Sequence, residues 1–174
     1  MKDTVHVSVI FLALLLPAAL LPACAANAVP GYAAAREEEA LRTALAGTAA
    51  VLAHDDAALT LRYPGRLAFS ADGTELLPAG RQMLDQVARV MAGFRRSQIV
   101  VAVYTDAIGS TEFNRQQAQT RAAVIVGYLG TRGIAAARMV TRAGGEGAPL
   151  APDNTPEGRD QNRRLEMTIT PLPS

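Results

Sequence analysis

The pattern of apolar and polar positions predicts two strands and two amphipathic helices in the second half of the chain. Residues 99–103 are apolar at every position, which is typical of a strand covered on both faces. Apolar residues recur at steps of three and four over 77–94 and over 111–129, which predicts a core-facing helix on each side of that strand. Residues 165–169 alternate between apolar and polar, so we expect a closing strand with one solvent-facing side.

Weaker signals predict the remaining elements. The stretch 33–46 is rich in Ala, which indicates a short helix that either extends a tether or packs on the domain. The stretches 49–53 and 59–63 predict two short strands, and we expect His54 to be solvated on the turn between them. Residues 139–142 predict another strand, and Asn154 or Thr155 caps a short helix that begins with Pro156.

This order of elements predicts an α+β fold. We expect a two-layer sandwich in which a mixed sheet of about four strands packs against two main helices, preceded by the short strand pair. At 174 residues the chain is long enough for one domain with a sizeable core in addition to a leader. The formal net charge of +1 indicates neither nucleic acid nor an acidic surface as a partner.

The N-terminal region predicts export and lipidation. Residues 5–21 are almost uniformly apolar, which is typical of a signal peptide or a membrane anchor. The segment ends at Cys24, the single cysteine of the chain, and resembles a bacterial lipobox, in which that cysteine becomes acylated. No Asp follows Cys24, which favours the outer membrane, with the domain facing the periplasm. The predicted segments are a signal peptide (1–23), the acylated cysteine with a tether (24–33), the short helix (34–47) and the folded domain (48–174).

The turn after strand 99–103 carries the candidate chemistry. Asp106 follows the end of the strand, Gly109 permits a turn, and Ser110 or Thr111 can cap the next helix. That helix brings Arg121 back beside the turn. A carboxylate and a guanidinium at one end of the fold suit a small ligand that carries both charges, although a structural ion pair would also explain them.

The chain from about 59 to 169 resembles the OmpA C-terminal-like domain family, of the peptidoglycan-associated lipoprotein type. The resemblance rests on the order and spacing of several short motifs. They are Phe69 with Leu77-Pro78, Tyr104-Thr105-Asp106 with Gly109-Ser110, Asn114, Arg121-Ala122 with Tyr128-Leu129, Gly145-Glu146, Pro149, Asn154, Gly158-Arg159, and Asn162-Arg163-Arg164-Leu165-Glu166.

The resemblance implies non-covalent binding of peptidoglycan through the diaminopimelate of its stem peptide, without a cofactor or a metal. Asp106 would hold the ammonium group of the ligand and Arg121 its carboxylate. Thr105 and Asn114 would add hydrogen bonds, and Arg163 would border the pocket. Residues 48–174 would then anchor the outer membrane to the cell wall.

The chain departs from the family pattern at three places. Val103-Tyr104 stand where Gly-His is usual, Gln117-Ala118 replace a Leu-Ser pair, and Ala143 replaces a frequent glycine. These changes leave open an adaptor lipoprotein with a decayed wall pocket, which would bind a protein partner in the envelope through the helix over 33–46.

Two further alternatives are weaker. A wall hydrolase would need Asp106 with Glu146 or Asp160 as acid and base, and their pKa values would have to be well separated. No histidine or cysteine set suggests a metal or a nucleophilic triad, so we expect no enzymatic activity. A stator role in a motor is disfavoured because the long apolar run ends in the lipobox.

Overall fold

Five strands and five α-helices make up the part of the chain that this computed structural model describes, residues 30–55, 58–70, 73 and 75–172. A single 3-10 turn, Ala136–Arg138, precedes the fourth strand. The helices are α1 (Pro30–Leu45), α2 (Gly65–Ala68), α3 (Pro78–Gly93), α4 (Thr111–Thr131) and α5 (Pro156–Asn162). The strands are β1 (Val51–Asp55), β2 (Ala58–Pro64), β3 (Ser97–Tyr104), β4 (Met139–Gly145) and β5 (Arg164–Pro171).

All five strands belong to one mixed sheet, in the order β1-β2-β5-β3-β4. Only β3 and β4 pair in parallel, and the other neighbours are antiparallel. The expected α+β sandwich is confirmed, and the short strand pair forms one edge of the main sheet rather than a separate ribbon. Because β2 and β3 both run antiparallel to β5, their C-terminal ends lie at the same end of the sheet.

The core lies between one face of the sheet and the helices. The strand residues that point into it are Leu59, Leu61, Tyr63, Ile99, Val101, Val103, Leu165, Met167 and Ile169. The sequence predicts their alternation for β2 and β5. In β3 the prediction of a strand covered on both faces holds only in part, since Val100 on the opposite face is partly exposed. The predicted stripe of α4 is fully buried, and α3 adds Met83 and Ala88 to its predicted apolar face. The opposite face, here called the open face, carries Thr60, Arg62, Glu166 and Thr168, each partly exposed.

Helix α1 packs on the domain. Its side chains Leu41 and Leu45 are buried in the core. Glu37 is also buried, and its Oε2 accepts a hydrogen bond of 2.8 Å from Ser97 Oγ at the start of β3. Burial raises the pKa of Glu37, although the hydrogen bond from Ser97 acts in the opposite direction. The helix is therefore part of the core, and its buried face is not available to a protein partner.

The predicted signal peptide, Cys24 and most of the predicted tether lie outside the described residues. None of the described helices is long and apolar enough to cross a membrane.

Candidate functional site

The turn that follows β3 holds Asp106 in a fixed position. The Ile108 N–H donates to Asp106 Oδ1 at 3.2 Å. Asn114, on the first turn of α4, donates its side-chain amide to the carbonyl oxygens of Asp106 and Ile108, each at 3.2 Å. Ser110 caps α4 as expected, because its hydroxyl accepts from the Phe113 N–H at 3.2 Å. Asn114 therefore positions the turn and uses its donors on the protein backbone.

Asp106 forms an ion pair with Arg163, at the junction of α5 and β5. Arg163 Nη1 lies 2.5 Å from Asp106 Oδ2, and the Asp106 side chain is only 12% exposed. Arg163 Nη2 also contacts Asp160 Oδ1 at 3.2 Å, and Arg66 Nε contacts the other oxygen of Asp160 at 2.6 Å. The side chains thus form a row of alternating charge in the order Arg66, Asp160, Arg163 and Asp106.

These contacts shift two pKa values. The hydrogen bond from Arg66 lowers the pKa of Asp160, and Arg163 acts in the same direction. Burial alone would lower the pKa of Arg163, but its hydrogen bonds to Asp106 and Asp160 raise it on balance. Arg163 and Asp160 are therefore fully charged at neutral pH.

Arg121 reaches the same region from the middle of α4. Its guanidinium lies 5.5 Å from the centre of the Phe69 ring, and its Nε donates to the Gly73 carbonyl at 3.4 Å. Arg121 and Arg163 line one cavity of about 500 Å³. The other lining residues are Gly65, Arg66, Phe69, Ser70 and Leu77. The cavity combines cationic groups with an apolar wall, which suits a small ligand with a carboxylate.

Of the five predicted residues, Arg121 and Arg163 line the cavity, and Asp106 is connected to it through its ion pair with Arg163 without lining it. Thr105 and Asn114 are buried, and neither lines the cavity. The Thr105 N–H donates to the Gly145 carbonyl at 2.7 Å. Its hydroxyl oxygen is buried without a hydrogen-bond partner among the described residues.

The departures from the family pattern lie away from the cavity. Val103 points into the core, and the Tyr104 ring packs under the Arg164 guanidinium, with 3.8 Å between the guanidinium carbon and the ring centre. Neither Gln117 nor Ala143 contributes to the lining.

Sequence reasoning missed Arg66 as a cavity residue. It follows Pro64-Gly65, which looked only like the end of a strand. The signal that could have found it is the topology of the sheet. Strands that run in the same direction have their C-terminal ends at the same end of the sheet, and Arg66 follows β2 as Asp106 follows β3.

The carboxylates considered for a hydrolase are bound by other side chains. Asp106 and Asp160 are both bound to arginine, and the pKa of Asp160 is lowered rather than raised. Glu146 lies across the turn, where Oε1 accepts from Thr111 Oγ1 at 2.6 Å. Arg66 and Arg163 therefore hold the pKa of Asp160 below its usual value, whereas a general acid needs a raised one.

An α+β sandwich with a cavity lined by charged side chains at one end of its sheet is typical of a ligand-binding domain. The chain belongs to the OmpA family, whose sequence profile matches residues 68–163. The members of this family are structural and binding proteins, and the expectation that the chain is not an enzyme is confirmed.

The chain is similar to several known proteins. It is 33% identical over 142 residues to the probable lipoprotein YiaD of Escherichia coli K12, covering 82% of this chain and 65% of YiaD. It is 35% identical over 105 residues to the peptidoglycan-binding protein ArfA of Mycobacterium tuberculosis H37Rv, covering 60% of this chain and 32% of ArfA. The chain thus spans less than two thirds of the length of either relative.

The fold also matches a crystal structure. A MotB-like protein from Desulfovibrio vulgaris superimposes with a TM-score of 0.71 at 25% identity, over 80% of this chain and 94% of the other. This match extends beyond residues 68–163 of the family profile, so part of the additional structure is shared with that protein.

Proposed function

We propose that the chain binds peptidoglycan non-covalently through the diaminopimelate of the stem peptide, and so links the outer membrane to the cell wall. The observation that carries this proposal is the cavity beside the end of β2, where Arg121 and Arg163 form part of the wall and Arg163 is paired with Asp106. The name of ArfA states peptidoglycan binding for a relative that is 35% identical.

The charges of the site complement the free amino-acid centre of diaminopimelate. Arg121 binds the carboxylate, since a guanidinium presents paired donors to two oxygens. Asp106 accepts from the ammonium group. Both oxygens of Asp106 already accept one hydrogen bond, from Ile108 and Arg163, but a carboxylate oxygen has two acceptor positions and can take another.

The expected affinity per site is modest. Each hydrogen bond to a charged group contributes about 1.5–3 kcal/mol, and the ligand must displace water from the three arginines of the cavity. A membrane-anchored domain that faces a polymeric wall gains from the high local concentration of binding sites, so weak individual contacts are sufficient for attachment.

The direction of α1 supports anchoring through Cys24. Glu37 contacts Ser97 at the start of β3, whereas Asp106 follows the end of that strand, about 26 Å away for eight residues. Helix α1 leads from Pro30 past Glu37 towards β1. Strand β1 is antiparallel to β2 and therefore begins at the end of the sheet where β2 finishes and the cavity lies. The chain therefore enters the domain at the end opposite the cavity. Lipidation at Cys24, six residues before Pro30, would leave the cavity pointing towards the wall.

Co-sedimentation with insoluble peptidoglycan sacculi tests the proposal. The purified full chain in detergent is compared with Asp106→Ala and Arg121→Ala, with free diaminopimelate as a competitor. Arg132→Ala is a matched control, because Arg132 forms an exposed ion pair with Asp85 away from the cavity. We expect the native chain and the control to sediment and both cavity variants to remain in the supernatant. Failure of the folded native chain to sediment would refute wall binding, and sedimentation of both cavity variants would refute this site.

A further inference from the structure

A second cavity, of about 300 Å³, lies next to the cavity of the proposed site. Arg66 lines both cavities, so the two are neighbours. Asp160 lines the second cavity and also binds Arg163, which lines the first. A ligand bound in the first cavity therefore needs to extend only past Arg66 to enter the second. The volume is at the lower end of the range for ligand sites, roughly 300–1,000 Å³, which suits one small residue of a longer ligand.

Apolar side chains that face solvent line much of the second cavity. Val51 is 60% exposed and Leu150 is 48% exposed, and Ala49 and Pro64 complete this apolar wall. Leu150 lies on a fixed loop, because its N–H donates to Oδ1 of the buried Asn162 at 2.7 Å. Exposed apolar side chains that line one concave surface indicate that an apolar group binds there.

Arg62 places a guanidinium beside the apolar wall of the second cavity. It lies directly opposite Val51 in the pairing of β1 with β2, and its side chain is 42% exposed. Its Nε donates to Glu166 Oε1 at 2.9 Å, which orients the guanidinium. Among the described residues, its other side-chain N–H groups donate to no protein atom. A guanidinium oriented in this way binds a carboxylate with little further ordering.

We infer that the second cavity binds the alanine that follows diaminopimelate in longer stem peptides. The methyl group of this alanine packs against Val51 and Leu150, and its terminal carboxylate accepts hydrogen bonds from Arg62. The short methylene chain of diaminopimelate separates its zwitterionic centre, in the first cavity, from the main chain that continues to the alanine. This inference rests on the proposed function, and it means that the domain prefers stem peptides that extend beyond diaminopimelate.

Binding of four synthetic stem peptides to the full chain in detergent, measured by titration calorimetry, tests the inference. The reference tripeptide ends at diaminopimelate with a main-chain carboxamide, which matches the amide bond present in a longer stem. The other three peptides continue with alanine, with glycine or with alanine carboxamide. The glycine peptide lacks the methyl group, and the alanine carboxamide peptide lacks the terminal charge. All four keep the zwitterionic centre that the proposed function requires.

Two substitutions separate the two contacts. Leu150→Ala shortens the apolar wall, and Arg62→Gln removes the guanidinium while Glu166 keeps its contact with Arg164. Leu172→Ala is the matched control, because Leu172 is also 48% exposed but follows the far end of β5.

We expect the native chain and the control to bind the alanine peptide about tenfold more tightly than the reference tripeptide, and about fourfold more tightly than the glycine peptide. Leu150→Ala should lose the preference for alanine over glycine, and Arg62→Gln should lose the preference for the free carboxylate over the carboxamide. Both variants should bind the reference tripeptide as the native chain does.

Two results would overturn the inference while the proposed function stands. The native chain could bind all four peptides equally, or the two substitutions could weaken all four by the same factor, which would mean that they act by displacing the first cavity. If the folded native chain binds no peptide, or if Asp106→Ala binds as the native chain does, the proposed function fails and the inference fails with it.

Discussion

Replacement of Gly158 by Ala tests whether α5 is held in place by a contact that only glycine allows. A Cβ at this position would lie 3.0 Å from the carbonyl carbon of Pro152 and closer still to its oxygen. Both atoms belong to the backbone, so the contact cannot be relieved by a side-chain rotation. Either α5 or the loop before it must move.

We expect Gly158→Ala to destabilise the fold by about 1–2 kcal/mol. Overpacking against a fixed backbone costs about 1–3 kcal/mol, and the higher helix propensity of Ala offsets up to about 1 kcal/mol. Because α5 carries Asp160 and leads into Arg163, the same displacement should weaken ligand binding in the molecules that remain folded.

Gly127→Ala provides a control with the opposite sign. Gly127 lies on an exposed part of α4, and a Cβ there would have no heavy atom within 4 Å. The substitution should stabilise the fold by about 0.5–1 kcal/mol and leave ligand binding unchanged. Urea unfolding measures the free energy of unfolding of both variants. If Gly158→Ala is as stable as the native chain, the close approach of α5 to the loop is not present in solution.

Three further substitutions test other parts of the structure. Asn114→Ala leaves two carbonyls of the Asp106 turn without their donor, so we expect a loss of about 2 kcal/mol in urea unfolding and weaker sedimentation with sacculi. Asn114→Asp, which also lacks the donors, should behave similarly, and a native-like result for either would contradict the assigned role. Arg164→Met removes the buried partner of Glu166, 2.8 Å away, but leaves Arg62 in contact with the same oxygen at 2.9 Å. It should therefore cost about 1.5–3 kcal/mol by the same measurement, whereas a change below about 1 kcal/mol would contradict the assigned role. The pKa of Glu37 is raised in the folded state by burial, so the stability that it contributes is fully present below its unfolded pKa of about 4.3 and is lost as the pH rises through the folded value. Glu37→Gln does not undergo this loss, so its stability relative to the native chain should increase between pH 4 and pH 7, and a constant difference would show that Glu37 is not desolvated.

The position of Asp106 could be predicted from the sequence, but its partner could not. An unbroken apolar run followed by Asp, Gly and a capping Ser places a carboxylate at the end of a buried strand, and the structure agrees. The sequence suggested Arg121 as the nearest guanidinium because α4 returns beside the turn. The observed ion pair is with Arg163, 57 residues away. Strand β5 lies antiparallel to β3, so the start of β5 lies beside the end of β3.

The lipoprotein signal and the residues Val103-Tyr104 also differ in how much the sequence could predict about them. The lipobox around Cys24 is a local pattern and stays a prediction, since it lies outside the described residues. The effect of Val103-Tyr104 on the pocket could not be judged from the pattern alone. In the structure these side chains point into the core and onto the open face, respectively, away from the cavity.

The sequence by itself determined where the strands and the main helices lie and which faces of α4 and β5 are buried, because these features follow from the spacing of residues a few positions apart. Side-chain alternation in β5 and the three-and-four spacing in α4 are examples. Only the tertiary structure decided that α1 packs into the core, that the strand pair joins the sheet, and that Arg66 shares a cavity with Arg121. Such contacts join segments far apart in the chain, and their free energy depends on how whole elements pack, which no local pattern records.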